Sequence, residues 1–447
     1  MAPALTAARP RAIPLAPRSR RGGGDGVSLD GWEILADPYE DRLEDVCTGL
    51  WMVLRDVQHW TDRTQRNGLF GPRTHKVRAR LLRAMRAAPA LAPALRIFLQ
   101  LRTTPGTVLA SELGAACYAV WGWAEGESLI GTAAHFAEAA AYLVPENPAY
   151  ANDAGWACRR CNHYERAGVW YQRGLRLAVR SKNRHEAIRA LIGRGAVYKN
   201  LGQHELARLL YERASRRAVN TGRRRQAAVA RHYIFALEAE KGTFEDGLEA
   251  VRETLNLYPI YDRRVPYLAH DYAFLLIRNR YFSAALALLE KLAPAITKPE
   301  ERVLLQSTMA RAAAGAGRFD QFRVMAQHAL DTARTHPEYA HACYLQLGYA
   351  LQSAGEWEAA ADYASRAEQG ARMLKDAVVE QFASELRGEI AARVPAEREN
   401  AEACPYAVEL IERMFSFRLR RWLAPDRRGT GANAQPVNAA DRERAKL

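Results

Sequence analysis

One order of residue sizes constrains this chain more than anything else in it. Gly195 is followed by Tyr198, Gly202, Ala207, Tyr211 and Ala214, at steps of three, four, five, four and three. Three-and-four spacing is the signature of a helical face, and a glycine between two such faces ends one helix before the next begins. The segment therefore predicts two antiparallel helices. Small residues fall where the axes cross closely and large ones where the pair meets its neighbour. The register returns upstream in Gly155, Cys158, Asn162, Ala167, Tyr171 and Gly174, with Ala167 one full unit ahead of Ala207 and Cys158 standing where an aromatic belongs. It returns once more, a somewhat shorter unit earlier, in Ala133, Ala137, Ala140 and Pro145. Downstream the key position is held by Gly247, Ala285, Phe322 and Ala360, with Gly242, Arg280, Gly317 and Gly355 at the turns and Pro259 closing one unit. Each of those later steps is longer than the step from Ala133 to Ala167. Seven registers in step over roughly residues 114 to 375 predict stacked helical hairpins, each burying a face that only its neighbour can cover.

The remainder of the 447 residues reads the same way. Gly and Pro separate helix-length segments in which apolar residues keep helical spacing. Leu43, Val46, Leu50, Val53, Leu54, Val57 and Trp60 form one stripe of a helix expected to open at Asp37-Pro38, and Thr104-Pro105 repeats that start signal. No run of alternating β-branched and aromatic residues is bounded by hairpin turns, so the expected class is all-α. An array of this kind needs caps. Residues 29–112 are assigned to the front cap, which includes Val77, Leu81, Leu82, Met85, Leu95, Phe98 and Leu99, and residues 113–375 to the repeats. Residues 376–423 form the rear cap, whose last helix carries Val408, Ile411, Met414, Phe415, Leu419 and Trp422 beside Arg413, Arg418, Arg420 and Arg421. Segments 1–28 and 424–447 are polar, Arg-, Pro- or Gly-containing tails that lack the apolar content to order themselves.

The repeated order resembles the tetratricopeptide repeat, whose usual unit is about 34 residues. Units longer than that are similar to the arrays of bacterial regulators in the family. The resemblance implies a right-handed superhelical solenoid of about seven helix-turn-helix repeats with helical caps. It also implies that a peptide lies along the concave surface made by the first helix of each pair. The register places Asn152, Trp156, Arg159 and Arg160 there, then Arg189, Ile192 and Lys199, then His232, Tyr233 and Glu240. Tyr267, His270, Asp271, Phe274 and Arg278 follow, and finally Arg311, Gln346 and Tyr349. Rings supply contact area and guanidinium groups orientation in such a surface. The carboxylate clamp of the family's co-chaperones, a Lys and Asn four apart, is absent: the corresponding pairs are Asn152/Trp156, Ile192/Ala196 and His232/Ala236.

Charge is concentrated in one stretch. The chain has 64 Lys+Arg against 50 Asp+Glu, and residues 151–231 hold seventeen Arg and two Lys against five acids, which accounts for the whole formal +14. The densest run is Arg213, Arg216, Arg217, Arg223, Arg224 and Arg225, expected at the edge of the array where a helix ends and the next hairpin starts. Such an edge suits an acidic protein or peptide through bidentate guanidinium contacts. The alternative partner is nucleic acid, held by its phosphate backbone with Trp156, Trp170 and Tyr171 nearby for stacking. No helix-turn-helix reader, RNA-recognition motif or zinc finger accompanies the charge, so sequence-specific readout is not expected.

Motifs that carry chemistry are missing. There is no G-x-x-x-x-G-K-[ST] phosphate loop, H-E-x-x-H helix or G-x-S-x-G elbow. Cys158 and Cys161 have metal-ligand spacing, yet a structural zinc needs four ligands and no second pair follows. Six scattered cysteines are too few for a disulfide framework and fit a reducing compartment. No apolar run reaches the ~18 residues of a membrane span. The expectation is a cytoplasmic, non-enzymatic interaction solenoid without cofactor or metal, acting as a regulatory adaptor or sensor.

Overall fold

The computed structural model describes residues 44–61, 74–127, 129–394, 396, 399–400 and 405–423. The Asp37-Pro38 start signal, Leu43, both tails and the side chain of Trp422 lie outside the described residues. Among the described residues there are nineteen α-helices and no strand, so the chain is all-α. Chain contacts divide it into two units, residues 1–186 and 187–447.

In the first unit, α1 (Glu44–Thr61), α2 (Thr74–Ala87) and α3 (Ala92–Thr103) precede the repeats. Val46, Leu50, Val53, Leu54, Val57 and Trp60 of α1 are all buried, as their spacing requires. Asp56, at the edge of that stripe, is buried too, and Arg102 meets it with a two-pronged pairing, one prong of which spans 2.7 Å. Thr104-Pro105 does not start a helix. Pro105–Thr107 makes a single 3-10 turn, Val108 is extended, and α4 (Ala110–Gly126) begins later, where Glu112 reaches back to the Leu109 amide. The α5 helix (Ile130–Leu143) is apolar on nearly every side and correspondingly buried. Its one buried acid, Glu138, accepts from Trp170 Nε1 at 2.6 Å and from Arg166, so it enters the core with its partners. Trp170 and Arg166 belong to α7 (Tyr164–Arg180), which forms a hairpin with α6 (Pro148–Arg160).

The second unit continues the hairpins from α8 (Arg184–Asn200), the helix that crosses the division, with α9 (His204–Asn220) as its partner. Next come α10 (Arg224–Lys241) with α11 (Phe244–Leu257), and α12 (Val265–Arg278) with α13 (Phe282–Leu292). The last pairs are α14 (Pro299–Gly315) with α15 (Phe319–Ala333), and α16 (Ala340–Ser353) with α17 (Trp357–Met373). Counted from α4, these make seven hairpins. All seven register residues, Ala133, Ala167, Ala207, Gly247, Ala285, Phe322 and Ala360, are buried. The reason is geometric: a Cβ on Gly195 would stand 2.5 Å from the Tyr211 ring, and one on Gly155 2.9 Å from the Tyr171 ring. Ring and glycine thus set the closeness of the two helices.

Turns repeat as well. At 201–203 the Gly202 residue is left-handed (φ +71°), Gln203 N–H donates to Tyr198 O at 2.8 Å, and Gly202 N–H donates to Lys199 O at 2.9 Å. This pair of hydrogen bonds satisfies the last carbonyls of α8. The same closure recurs at Gly317 and Gly355, and at Asn162 and Arg280 with non-glycine residues in the left-handed region. Gly242 departs from the expected pattern, with φ −80° and ψ −179°. Its turn is shorter because Thr243 caps α11 directly, accepting from the Asp246 amide at 3.2 Å.

Two further helices close the chain. α18 (Ala377–Ala391) packs on α17 and α16 at the end of the stack. Its first turn also meets the α8–α9 turn, with Ala377 against Gly202, and Lys241 Nζ donates to Gln381 at 3.1 Å. α19 (Tyr406–Leu423) does not stack on α18 but returns to α11, α12 and α13. Its buried stripe of Val408, Ile411, Phe415 and Leu419 explains this, because Phe415 finds a ring to stack on in Tyr272 of α12 (5.6 Å, 21°). Lys291 to Ser416 and Arg418 to Tyr258 O fasten its rim.

Because the Tyr211 ring is fully buried and stacked on Tyr233, it has no room to yield to a methyl group. Gly195→Ala is expected to lower stability by about 1–3 kcal/mol, read as a lower urea midpoint with an unchanged slope.

Candidate functional site

Within the second unit, successive first helices of the hairpins surround a cavity of about 410 Å³. Each helix contributes one stripe: His232, Ala236, Ala239 and Glu240 from α10, Tyr267, His270, Asp271 and Phe274 from α12, Leu304 and Thr308 from α14, Ala342 and Gln346 from α16. Steps of three and four along each helix put these side chains on one face. Lys199, near the end of α8, and Arg264, just ahead of α12, complete the wall with Tyr233.

The charges in this wall are organised in two groups. Asp271 Oδ2 lies 2.9 Å from His232 Nε2, and Oδ1 lies 3.8 Å from His270 Nδ1. Burial opposes its charge, yet the His232 hydrogen bond and the nearby His270 outweigh burial and hold Asp271 below the usual carboxylate range. An ionised carboxylate only accepts, so His232 Nε2 carries a hydrogen. On the other side of the ring, the Tyr258 hydroxyl lies 3.1 Å from His232 Nδ1. Burial raises the Tyr258 phenol and keeps its proton in place. His270 Nε2 is 3.2 Å from the Thr308 hydroxyl, which itself donates to Leu304 O at 2.7 Å, so His270 is the donor of that pair. The Thr308 proton is therefore directed to backbone and not toward the imidazole. The second group is the Lys199–Glu240 ion pair. Burial opposes the charge on Lys199, but Glu240 beside it prevails and raises the ammonium; burial raises Glu240 as well.

Rings border the polar groups. Tyr267 is 41% exposed and donates its hydroxyl to Glu301 at 2.7 Å. The Arg264 guanidinium lies 6.0 Å from the Tyr233 ring centre, and burial opposes its charge while Tyr233 and Tyr258 support it. Deeper in the array, Arg311 stacks over Tyr349 at 3.8 Å and donates to Gln346 at 3.2 Å, fixing the amide that faces the cavity.

Of the residues expected in the groove, Lys199, His232, Tyr233, Glu240, Tyr267, His270, Asp271, Phe274 and Gln346 line this one cavity. Arg278 does not. Its guanidinium donates to the carbonyls of Glu238, Ala239 and Gly242, at 3.2, 2.9 and 2.6 Å, and ties the α10–α11 turn to α12. Arg189 and Ile192 lie on α8 outside the wall, the first half-buried and the second buried. The four residues of α6 belong to the first unit. There Asn152 is buried and donates to Glu186 O and Oε2 at 2.9 and 2.7 Å, Arg160 lies 5.2 Å from the Trp156 ring and 3.2 Å from Glu125, and Arg159 is half-buried. Sequence reasoning missed Arg264, which belongs to a loop with no position in the register, and Leu304 and Thr308, which share the face of Arg311 and were legible from that spacing.

The basic edge is divided in its commitments. Arg213, Arg216 and Arg224 are exposed, whereas Arg217, Arg223 and Arg225 are half-buried. Arg225 pairs with the buried Asp262 at 2.6 Å, Arg216 with Glu212 at 3.4 Å, and Arg224 donates to Asn256 O at 3.0 Å. Cys158 is buried, and burial raises its thiol well above the usual range. Among the described residues, no three His, Cys, Asp or Glu side chains gather as a metal site would need, and no helix is long and apolar enough to cross a membrane.

No family model matches the chain, and no curated protein does. Solved structures do match. One is the Rap conjugation gene regulator of the plasmid pLS20 in complex with the Phr* peptide, similar over 77% of this chain and 97% of that one, at 12% identity and a TM-score of 0.37. At that TM-score the likeness carries no argument about the site.

Asp271 yields a signed pH dependence. Its folded carboxyl titrates below the unfolded value of about 3.9, so its stabilisation is complete above that pH and disappears as pH falls toward the folded value. Asp271→Asn is expected to lower stability at neutral pH by about 1 kcal/mol, the partial solvent contact of the carboxylate keeping the figure small. In denaturant titrations the gap between parent and variant should narrow as pH falls below the ordinary carboxylate value of about 3.9.

Proposed function

We propose that this chain is a non-enzymatic, tetratricopeptide-type regulatory adaptor or sensor that receives a segment of another polypeptide in the cavity formed by α8, α10, α12, α14 and α16. The observation that carries this reading is the composition of the wall. Five consecutive inner helices present three rings, Tyr233, Tyr267 and Phe274, around polar groups whose partners already orient them. A volume of about 410 Å³ lies within the ~300–1,000 Å³ of ordinary ligand pockets, enough for side chains of a short segment but not for a folded domain. The wall is close to charge balance, with Lys199 and Arg264 against Glu240 and Asp271, so it suits a segment bearing both signs. Preformed hydrogen bonds at Asp271 and Gln346 reduce the ordering that binding requires. A cytoplasmic setting accords with the reduced, scattered cysteines.

A displayed library of random peptides, selected on the full chain, tests the reading. Selected peptides should lose about tenfold or more in affinity against Tyr267→Ala and against Phe274→Ala, as central aromatic anchors do. Peptides that bind both variants as tightly as the parent would place the recognition site elsewhere.

A further inference from the structure

The connection between α11 and α12, residues 258–264, is crowded with guanidinium groups. Arg224, the first residue of α10, donates to Asn256 O at 3.0 Å, and Arg418 of α19 donates to Tyr258 O at 2.9 Å. Both therefore sit on the carboxyl end of α11, where the last carbonyls carry a partial negative charge. That end is equivalent to only about half an elementary charge. Two whole positive charges are held there by neutral acceptors two residues apart. Their repulsion is felt: burial and then the neighbouring Arg224 both lower the Arg418 guanidinium. Arg263, exposed in the same loop, adds a third cation. Arg225 also flanks Tyr258, but the buried Asp262 already neutralises it. Among the described residues Arg224, Arg263 and Arg418 have no ion pair. The start of α10 adds to the excess, because its N-cap is Arg223, no side chain caps its first amides, and its first turn has no acid.

We propose that Arg224 and Arg418, with the adjoining loop, form a docking surface for an acidic polypeptide segment, one carboxylate bridging the two guanidinium groups. Two observations favour protein over nucleic acid. Pro259 and Ile260 are exposed within the same loop, and aliphatic contact of that kind complements a polypeptide and not a phosphate backbone. The cations also converge on one helix end instead of following a helix as a stripe, which suits forked pairing with single carboxylates. Arg264 is the one cavity-lining residue in this loop, and neither Arg224 nor Arg418 lines the cavity, so the two docking guanidinium groups stand whether or not the cavity receives a peptide.

Fluorescence anisotropy of a labelled polyglutamate peptide, titrated with the full chain at low salt, tests the assignment. Binding to the parent is expected, with a loss of about tenfold or more in the double variant Arg224→Gln/Arg418→Gln. The pair Arg216→Gln/Arg217→Gln, on α9 and outside the loop, should stay within about twofold of the parent, within the spread of charge contacts on a rim. Arg418 also fastens α19, so Arg224→Gln alone, altering one exposed side chain, serves as the second variant and should weaken binding about threefold. No binding by the parent overturns the proposal, as does binding by both Arg224 variants within about twofold of the parent. A single-stranded oligonucleotide that displaces the peptide at lower concentration, and loses affinity in the same variants, overturns it in favour of phosphate recognition.

Discussion

Everything in the second unit depends on how closely two helices of a hairpin can approach. Gly195 lies against the Tyr211 ring with no space for a methyl group, and the ring, stacked in turn on Tyr233, passes that spacing to the next pair. Steric exclusion is unforgiving at this range, so the hairpins have one separation and one rotation available. A face set by packing on one side is then a face presented on the other. Tyr233 is at once the neighbour of a core tyrosine and part of the cavity wall.

The chemistry of the cavity follows from that economy. Polar groups brought close to the core need partners, and the chain supplies them internally: Asp271 for His232, Glu240 for Lys199, Arg311 for Gln346. A wall in which each charge is already oriented has little freedom to rearrange, so the order of charge and shape it presents is fixed before any ligand arrives. The same logic governs the buried acids of the first unit, where Glu138 and Asp56 are each met by an arginine.

The hairpins and most of the wall were legible in the sequence because both are periodic. Side-chain size at Ala167, Ala207 and Ala360 repeats in step, and the inner stripe on α12 keeps the spacing of 267, 270, 271 and 274. What escaped lacks a period. Arg264 reaches the cavity from a loop, Arg278 turns toward the carbonyl groups of a neighbouring turn, and the Gly242 turn is governed by the Thr243 cap beside it. Nor does an amphipathic stripe declare its partner: Phe415 had an equally good reading as a cap on the last repeat, and only the complementary ring of Tyr272 decides the matter.

The return of α19 has a consequence for how the second unit comes apart. A linear array whose members touch only adjacent members frays from its free end, one pair at a time. Here Phe415 is seated on Tyr272, and the stretch of chain leading to it is held by Glu399 on Ser283 and by the Asn400 amide on Arg280 O. The last described helix is thus fastened onto the middle hairpins of its unit, and peeling the last hairpins means first lifting α19 from α12. Such distant pairings slow the search for the folded state, but once made they convert gradual loosening into a single concerted melt.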